Sequence, residues 1–391
     1  MRTFGGGAIL SVVLVSLAIG AQACSPDPQP PGSTPNPSPS PIPPSGVFTT
    51  RDGVRFQVET VLTGLEIPWS LAFAPDGRLF VTERPGRVRI VNLSTFTSEV
   101  ALTINVYAQG EAGLLGIALD PGFAQNNFVY LYYSAPSGGG AVNRIERYRE
   151  VAGRLGERAV LLDGIPASTI HDGGRLKFGP DGFLYATAGD ASNTDFAQDV
   201  ASLAGKVLRI TPTGSSAPGN RFSSPVFTFG HRNPQGIDWD PITGDLWEAE
   251  HGPSGDDEIN ILQSGSNYGW PVIQGAATGA GMIAPIVFYS STIAPSGIAF
   301  YRGQRIPQFA NNLFVAALRG THLARLTTET RRVVTQERLL DGTYGRLRDV
   351  VSSPDGYLYF LTNNRDGRGT PSVNDDRILR LVPCGAATQG C

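Results

Sequence analysis

A turn followed by a short alternating strand recurs six times between residues 74 and 360, and this repeat limits the possible folds more than any other feature. The Pro-Asp-Gly form of the turn supplies a position with positive φ and fixes a hairpin, and the alternation after it puts leucine and aromatic side chains on one face. The copies begin at Ala74, Asp120, Gly179, Asp240, Phe309 and Ser353. Neighbouring copies are about 45 to 70 residues apart, close to the length of one four-stranded blade. The sequence therefore predicts an all-β fold, a six-bladed β-propeller.

Composition supports a fold built from many hairpins. The 391 residues include 48 glycines and 30 prolines, and long amphipathic helical patterns are nearly absent. A propeller closes by pairing its two chain ends within one blade, and we expect Val58–Leu62 and Ile378–Val382 to form that closure. A pair of β-sandwiches is the competing fold, but it does not explain the six-fold spacing.

The N-terminal residues predict export. Residues 1–23 read as a secretory signal, because Arg2 precedes an apolar run at Ala8–Ile19 and small residues stand before Cys24. Cys24 directly after these small residues predicts acylation, as in a bacterial lipoprotein; ordinary cleavage before an unmodified cysteine is the alternative. The protein is therefore expected in the periplasm or at the cell surface, held by a lipid anchor.

The segment behind this cysteine predicts a spacer. Residues 24–46 are rich in proline and serine, cannot form a core and should behave as a stiff, extended tether. The propeller is expected over residues 47–383, followed by a short tail, 384–391. In an oxidising compartment, Cys384 and Cys391 are expected to close a small disulfide loop.

Charge excludes a general basic surface, and any strong positive charge must be local. The net charge is -3 and the isoelectric point is about 5.9, so nucleic acid is not an expected partner. The arginines of interest are expected in loops of different blades, at similar positions relative to their repeats: Arg232 (followed by Asn233), Arg319, and the neighbours Arg346 and Arg348. If the fold brings them to one face, closely spaced guanidinium groups repel and imply an anion between them, for which carboxylates are well suited. If they point outward, they are ordinary surface arginines.

The stretch Phe229–Pro271 packs turn-forming residues and three consecutive acids, Asp256, Asp257 and Glu258, into about forty residues. Such density predicts ligand-bearing loops on a β scaffold. Acids close to glycine-held backbone carbonyls are what calcium requires, because it takes six to eight oxygen ligands. Runs of acids are more often solvated surface, which is the alternative for Asp256 and Asp257.

His171 lies in a glycine-flanked loop just before the third copy of the repeat. A neutral imidazole in such a loop could act as a general base near pH 7. A single histidine is more often structural, so its position alone does not decide the role.

Together these segments resemble the soluble dehydrogenases that use pyrroloquinoline quinone (PQQ), the glucose/sorbosone dehydrogenase family of six-bladed propellers. The resemblance runs from about Gly64 to Leu381 and is specific in the combination and order of its segments. Those segments are Ile67–Phe73, Thr82–Arg87, Gly113–Gly116, His171–Leu176, Gly230–Gly236, Glu250–Asn260, Asn267–Pro271 and Arg346–Val350.

The resemblance implies an enzyme that oxidises aldoses at C1 to lactones and passes electrons to an external acceptor. It implies that His171 is the base and that calcium polarises the quinone as a Lewis acid. The implied quinone-binding residues are Arg232, Asn233, Arg319, Arg346 and Arg348, with Glu111 beside the quinone. The implied calcium ligands are the backbone carbonyls of Gly252 and Pro253 and, at a second, structural position, Glu258 and the main chain at Tyr268.

Three positions depart from the family pattern. Arg319 stands where lysine is common, which keeps the charge and changes the reach. Glu111 stands where quinone-binding members tend to have glutamine, so a carboxylate would face an anionic cofactor. Ile170 stands where glucose dehydrogenases have an aspartate, so another residue must orient His171, with Asp172 the candidate. These departures keep two other functions open, a non-catalytic extracellular binding propeller and a calcium-dependent lactonase.

Overall fold

The computed structural model of the chain describes Met1 and residues 46–385. The rest of the predicted signal, Cys24, the tether up to Ser45 and Cys391 lie outside the described residues. Cys384 is disulfide-bonded. In the described part of the chain, no helix has the length and apolar character needed to cross a bilayer.

Six antiparallel sheets make up the fold, and each is one blade. The chain enters the sixth blade first, through β1 (Phe48–Thr49) and β2 (Arg55–Leu62). Blade 1 contains β3 (Pro68–Phe73), β4 (Leu79–Glu83), β5 (Arg87–Asn92) and β6 (Thr97–Thr103). Blade 2 contains β7 (Leu114–Leu119), β8 (Phe128–Ser137), β9 (Gly140–Val151) and β10 (Arg154–Pro166). Blade 3 contains β11 (Leu176–Phe178), β12 (Leu184–Ala188), β13 (Lys206–Ile210) and β14 (Val226–Phe229).

The second half repeats this arrangement. Blade 4 contains β15 (Pro234–Trp239), β16 (Leu246–Glu250), β17 (Asp257–Leu262) and β18 (Val287–Tyr289). Blade 5 contains β19 (Pro295–Phe300), β20 (Leu313–Ala317), β21 (His322–Glu329) and β22 (Arg332–Leu339). Blade 6 is completed by β23 (Leu347–Ser352), β24 (Leu358–Thr362) and β25 (Ile378–Pro383). The helices of the described chain are α1 (Phe123–Asn126), α2 (Asp195–Gln198) and one 3-10 turn (Pro307–Phe309).

Closure of the ring is as predicted. Strand β2 pairs antiparallel with β25, with Val58 opposite Leu381 and Leu62 opposite Ile378. The two ends of the propeller are therefore joined within one sheet, which removes the open edge that a linear array of blades would leave.

The repeated turn connects the first and second strands of every blade. In the three Pro-Asp-Gly copies, Gly77, Gly182 and Gly356 have φ values of 87°, 77° and 87°, the left-handed conformation that glycine adopts without strain. The aspartate of each copy accepts hydrogen bonds within its turn, as when Arg78 N donates to Asp76 Oδ1 at 3.0 Å. The predicted six-bladed all-β propeller is confirmed.

Six apolar clusters form the core of residues 46–385, and each lies between two neighbouring blades. The first strands pack on one another around a central channel: β3 on β7, β7 on β11, β15 on β19, β19 on β23 and β23 on β3. Because the first strands run side by side, the residues before them meet at one end of the channel and the hairpin turns after them meet at the other.

Candidate functional site

The predicted site residues gather at the end of the channel where the first strands begin. Glu111 precedes β7, His171 precedes β11, Asn233 precedes β15 and Arg346 precedes β23. Arg348 was expected in a loop and instead lies inside β23, on the channel wall. We call this end of the channel the site end, and the opposite end, which carries the repeated hairpins, the turn end.

His171 is held by an aspartate that sequence reasoning missed. Its Nδ1 lies 2.8 Å from Asp190 Oδ1. The carboxylate of Asp190 also accepts Trp270 Nε1–H at 2.9 Å and the backbone N–H of Ser192 at 2.9 Å. Since a carboxylate only accepts, the imidazole carries its proton on Nδ1 and its lone pair on Nε2.

The expectation that Asp172 orients the imidazole is wrong. Asp172 turns away and accepts hydrogen bonds from Asn143 Nδ2 and Ser168 N, both at 3.0 Å. Burial raises its pKa to about 7, despite these hydrogen bonds. Asp190 was missed because it follows a different strand, 19 residues along the chain, where only the fold reveals the contact.

The backbone of the His171 loop is tightly specified. His171 has φ 63°, unusual for a residue with a side chain, and its N–H donates to Glu111 Oε2 at 3.2 Å. A Cβ atom on Gly189 would lie 2.0 Å from the His171 carbonyl oxygen, so only glycine allows the two loops to meet. The close approach of these loops brings Asp190 to the imidazole.

Glu111 connects three parts of the site. Besides the His171 N–H, its carboxylate lies 3.5 Å from Asn233 Nδ2 and 2.6 Å from Arg368 Nη1. Burial alone would raise the pKa of Glu111, but the charge of Arg368, with that of His251 and the hydrogen bonds, lowers it to about 2. Asn233 in turn accepts from Gly173 N at 3.1 Å, on the far side of the histidine loop. The Glu111 carboxylate is therefore already paired with the Arg368 guanidinium.

Two of the predicted arginines are buried close to this group. Arg346 pairs with Asp366 at 2.7 Å. Arg348 bonds only neutral acceptors, chiefly Gln235 Oε1 at 2.7 Å, and its buried Nε has no acceptor. Burial lowers the pKa of Arg348 to about 9. A buried guanidinium without a carboxylate partner fits the edge of an anion-binding position.

Arg232 and the glycine-proline turn face each other. Arg232 Nη1 donates to the carbonyl oxygens of Gly252 at 2.7 Å and His251 at 3.1 Å, and its guanidinium lies 5.3 Å from the Trp270 ring centre. The turn carbonyls therefore point toward positive charge. Pro253 is exposed beside them.

The acids after this turn behave differently from each other. Asp257 is fully buried and accepts hydrogen bonds from Gly252 N at 2.9 Å, Ile293 N at 2.7 Å and Ala294 N at 2.8 Å. Asp257 therefore holds two loops together through hydrogen bonds. It is not a solvent-exposed acid, and its oxygens are already used by backbone N–H groups. Glu258 accepts from Gly275 N at 2.9 Å, and burial together with the charge of Glu250 raises its pKa to about 8.

Two predicted positions remain, Tyr268 and Arg319. The Tyr268 hydroxyl donates to Ile261 O at 2.8 Å, and its ring stacks on His231 with centres 5.0 Å apart. Arg319 is exposed at the turn after β20, where its N–H donates to Ile293 O at 3.0 Å. The roles assigned to both by the resemblance stay predictions.

The chain is 34% identical over 336 residues to aldose sugar dehydrogenase YliI of Escherichia coli, covering 79% of this chain and 91% of the relative. It is 27% identical over 436 residues to quinoprotein glucose dehydrogenase B of Acinetobacter calcoaceticus, covering 86% and 90%. The solved structure of the PQQ-bound aldose sugar dehydrogenase from Streptomyces coelicolor is 39% identical, with a TM-score of 0.77 over 84% of this chain and 98% of that one.

The match to a family profile covers most of the propeller. Residues 65–379 match the profile described as glucose/sorbosone dehydrogenase, which agrees with the resemblance drawn from the ordered segments. The chain therefore belongs to the glucose/sorbosone dehydrogenase family.

Proposed function

We propose that this protein oxidises aldose sugars at the C1 hydroxyl to lactones, with hydride transfer to PQQ and onward passage of electrons to an external acceptor. The observation that carries the proposal is the 2.8 Å contact between His171 and Asp190 at the channel end where buried cations gather. The family and the PQQ-bound relative support quinone-dependent sugar oxidation.

His171 Nε2 is the atom that takes the proton. Within residues 46–385 it makes no hydrogen bond, and Asp190 holds the ring with its lone pair on that side. Oxidation at C1 removes the hydroxyl proton to Nε2 and the C1 hydrogen as a hydride, so two electrons leave and a cyclic hemiacetal becomes a lactone. Trp270 and Ser192 fix the carboxylate behind the ring and keep the imidazole oriented.

The residues fit an anionic quinone. Arg348 is a buried cation with an Nε that lacks an acceptor, and Arg368 neutralises Glu111, which removes the repulsion expected from that carboxylate. The residues that would hold PQQ are Arg232, Asn233, Arg319, Arg346 and Arg348. When bound, the quinone supplies the two-electron acceptor for the hydride.

The residues also fit calcium. The Gly252 carbonyl already accepts a hydrogen bond from a guanidinium, and Glu258 is a buried carboxylate without an arginine or lysine partner in the described chain. Gly252 and Pro253 would hold one ion and Glu258 with the Tyr268 main chain a second, the first adding Lewis-acid polarisation. Removal of calcium by a chelator should lower both turnover and melting temperature, and indifference to chelator would refute both positions.

We further propose that the protein is exported and anchored through an acylated Cys24, with the tether as a spacer. Mass spectrometry of the membrane fraction would show a lipid on the N-terminal cysteine. A soluble product with an unmodified Cys24 would refute the anchor without touching the enzyme.

The decisive test of function is reconstitution of the purified full chain with PQQ and calcium, followed by dye reduction on a panel of aldoses. Quinone-dependent turnover with several aldoses is the expected result. Quinone binding without turnover, or neither, would favour a binding propeller. Hydrolysis of lactones with calcium alone would favour the lactonase.

The His171→Ala variant separates chemistry from binding. We expect turnover to fall at least about a thousandfold while PQQ binding, followed by its absorbance, stays within a few-fold of wild type. Residual activity near wild type would remove His171 as the base.

A further inference from the structure

Three glutamates and an asparagine meet on one face of blade 4. Glu248 lies opposite Asn260 and Glu250 opposite Glu258 in the antiparallel pair of β16 and β17. Side chains two residues apart on a strand share a face, so all four project to the same side. Like charges directly opposite each other destabilise a sheet, yet this pair of strands places Glu250 across from Glu258.

The cluster is deeply buried. Glu248 is fully buried, Asn260 is 1% exposed, Glu250 3% and Glu258 8%. The Asn260 Nδ2 donates hydrogen bonds to all three carboxyl groups. It lies 3.0 Å from Glu248, 3.5 Å from Glu250 and 3.4 Å from Glu258. The backbone N–H groups of Arg232 and Gly275 also donate to Glu250 and Glu258, both at 2.9 Å, so these hydrogen bonds to the cluster come from neutral donors.

Other buried glutamates of the fold have arginine partners. Glu83 lies 2.8 Å from Arg87, and Glu150 lies 2.9 Å from Arg78. Within residues 46–385, by contrast, Glu248, Glu250 and Glu258 form no ion pair with lysine or arginine. His231 Nδ1 lies 3.4 Å from Glu250 Oε1.

A second observation points to a missing ligand. Glu248 Oε1 and Asn260 Oδ1 are both buried and have no hydrogen-bond partner. Buried polar atoms are nearly always satisfied, so two such atoms in one cluster mark a position for a further group. One oxygen each from Glu248 and Glu250 and one ring nitrogen of His231 lie within 4.8 Å of one another, a spread that a metal ion bonded at about 2.0–2.6 Å can bridge.

We propose that His231, Glu248 and Glu250 bind one divalent cation inside blade 4. One imidazole and two carboxylates suit zinc or manganese, whereas calcium takes oxygen ligands. This ligand set differs from those of the calcium positions proposed at Gly252 with Pro253 and at Glu258 with Tyr268, although Glu250 lies directly across the strands from Glu258. It ties the loop carrying His231, next to Arg232, to the centre of blade 4, and so has a structural role.

The test counts metal ions and does not use turnover, so its failure is distinguishable from failure of the dehydrogenase proposal. The full chain is purified from medium containing zinc and manganese, washed with excess calcium to fill the calcium positions, and measured by inductively coupled plasma mass spectrometry. We expect one zinc or manganese ion per chain. Wild-type protein without such an ion would overturn the proposal.

Variants locate the ion. Glu248→Gln keeps the shape of the side chain and should reduce bound zinc or manganese at least tenfold. Glu150→Gln makes the same change at a buried glutamate with an arginine partner and should leave the count at one. An unchanged count in Glu248→Gln would overturn the site. Loss of the same ion in Glu258→Gln, with Glu248→Gln unaffected, would assign it to the predicted calcium position.

A spectroscopic measurement on wild-type protein covers the case in which Glu248→Gln fails to fold. With manganese as the bound ion, pulsed electron paramagnetic resonance should detect coupling to one imidazole nitrogen, because His231 Nδ1 or Nε2 is a ligand. Manganese bound without nitrogen coupling would overturn the assignment.

Discussion

The aspartates at the two ends of the channel have different hydrogen-bond partners. At the turn end the same arrangement recurs, in which a hairpin aspartate accepts a hydrogen bond from a tyrosine hydroxyl on the following strand. The pairs are Tyr130 with Asp120 at 2.8 Å, Tyr185 with Asp181 at 2.9 Å and Tyr359 with Asp355 at 2.9 Å. At the site end, Asp190 bonds His171 and Trp270 in a combination that occurs in one blade of the described chain. The hydrogen bonds that recur from blade to blade therefore belong to the scaffold, and the hydrogen bonds found in one blade belong to the candidate site.

The two ends of the channel also differ in how their charged groups are paired. A cavity of about 1010 Å³ at the turn end is lined by the first strands and by residues such as Arg302 and Asp355. Charged groups there are already paired, as Lys177 and Arg302 are with Asp238 at 2.7 and 2.8 Å. At the site end, by contrast, the buried Arg348 has no carboxylate partner among residues 46–385, and its Nε has no acceptor.

The largest expected effect contrasts the two classes of aspartate. Asp190→Asn should reduce turnover by roughly 10²–10⁴-fold, because the amide no longer fixes the proton on Nδ1 of His171. Asp181→Asn, the same change at the turn end, should leave turnover within about twofold and lower the melting temperature by a few degrees. Steady-state dye reduction and thermal unfolding of both variants measure the contrast. Equal losses of turnover would contradict the division between the ends.

A second prediction concerns a cation that supports the site-end loop. Lys206 is fully buried, and its Nζ donates to the carbonyl oxygens of Phe196, Ala197 and Ala204 at 2.6, 3.1 and 2.7 Å. Lys206→Met removes the donor to the Phe196 and Ala204 carbonyls in the segment that follows Asp190, whereas the Ala197 carbonyl keeps the Gly230 N–H at 2.9 Å. We expect a loss of about 2–4 kcal/mol in the free energy of unfolding, measured with urea.

The control for this variant removes a cation from the surface. Arg332→Met affects a side chain that is 74% exposed, and its expected effect on the free energy of unfolding is close to zero. A Lys206→Met protein as stable as wild type would show that water or loop rearrangement satisfies the Phe196 and Ala204 carbonyls.

The two ends also differ in how much the sequence predicts. The turn end was predictable because Pro-Asp-Gly and the alternation after it are local signals, and the closure by β2 and β25 follows from the ring. The site end depends on contacts between distant segments: Asp190 meets His171 across 19 residues, and Arg368 meets Glu111 across 257. Asp172 is next to His171 in sequence, but the residue next to its imidazole in space is Asp190. Glu248, Glu250 and Asn260 stand at alternating positions of two strands, which is visible in the sequence. Only the structure shows that these polar side chains are buried together.

A smaller effect tests the charge balance around Glu111. Its pKa in the folded protein is about 2, below the ordinary 4.5, so its ionised form stabilises the fold above pH 4.5 and this stabilisation is lost as pH falls toward 2. Glu111→Gln should therefore reduce the free energy of unfolding by about 1 kcal/mol at pH 7, discounted because Arg368 is half exposed, and by less near pH 3. Urea unfolding at both pH values measures this. A difference that does not change with pH would show that Arg368 is not the source of the stabilisation.

The smallest predicted effect lies at the turn end and tests whether its repeated pairs take part in chemistry. Tyr185→Phe removes one hydrogen bond to Asp181, but the carboxylate keeps Arg209 as a partner at 2.8 Å. Because no buried group is left unpaired, the expected loss is about 0.5–1 kcal/mol in the free energy of unfolding, with turnover unchanged. Urea unfolding and dye reduction on the same preparation decide between the roles. Reduced turnover at unchanged stability would mean that the turn end influences the reaction through the first strands. Recurrence of the tyrosine–aspartate pair would then no longer identify residues that act only in the scaffold.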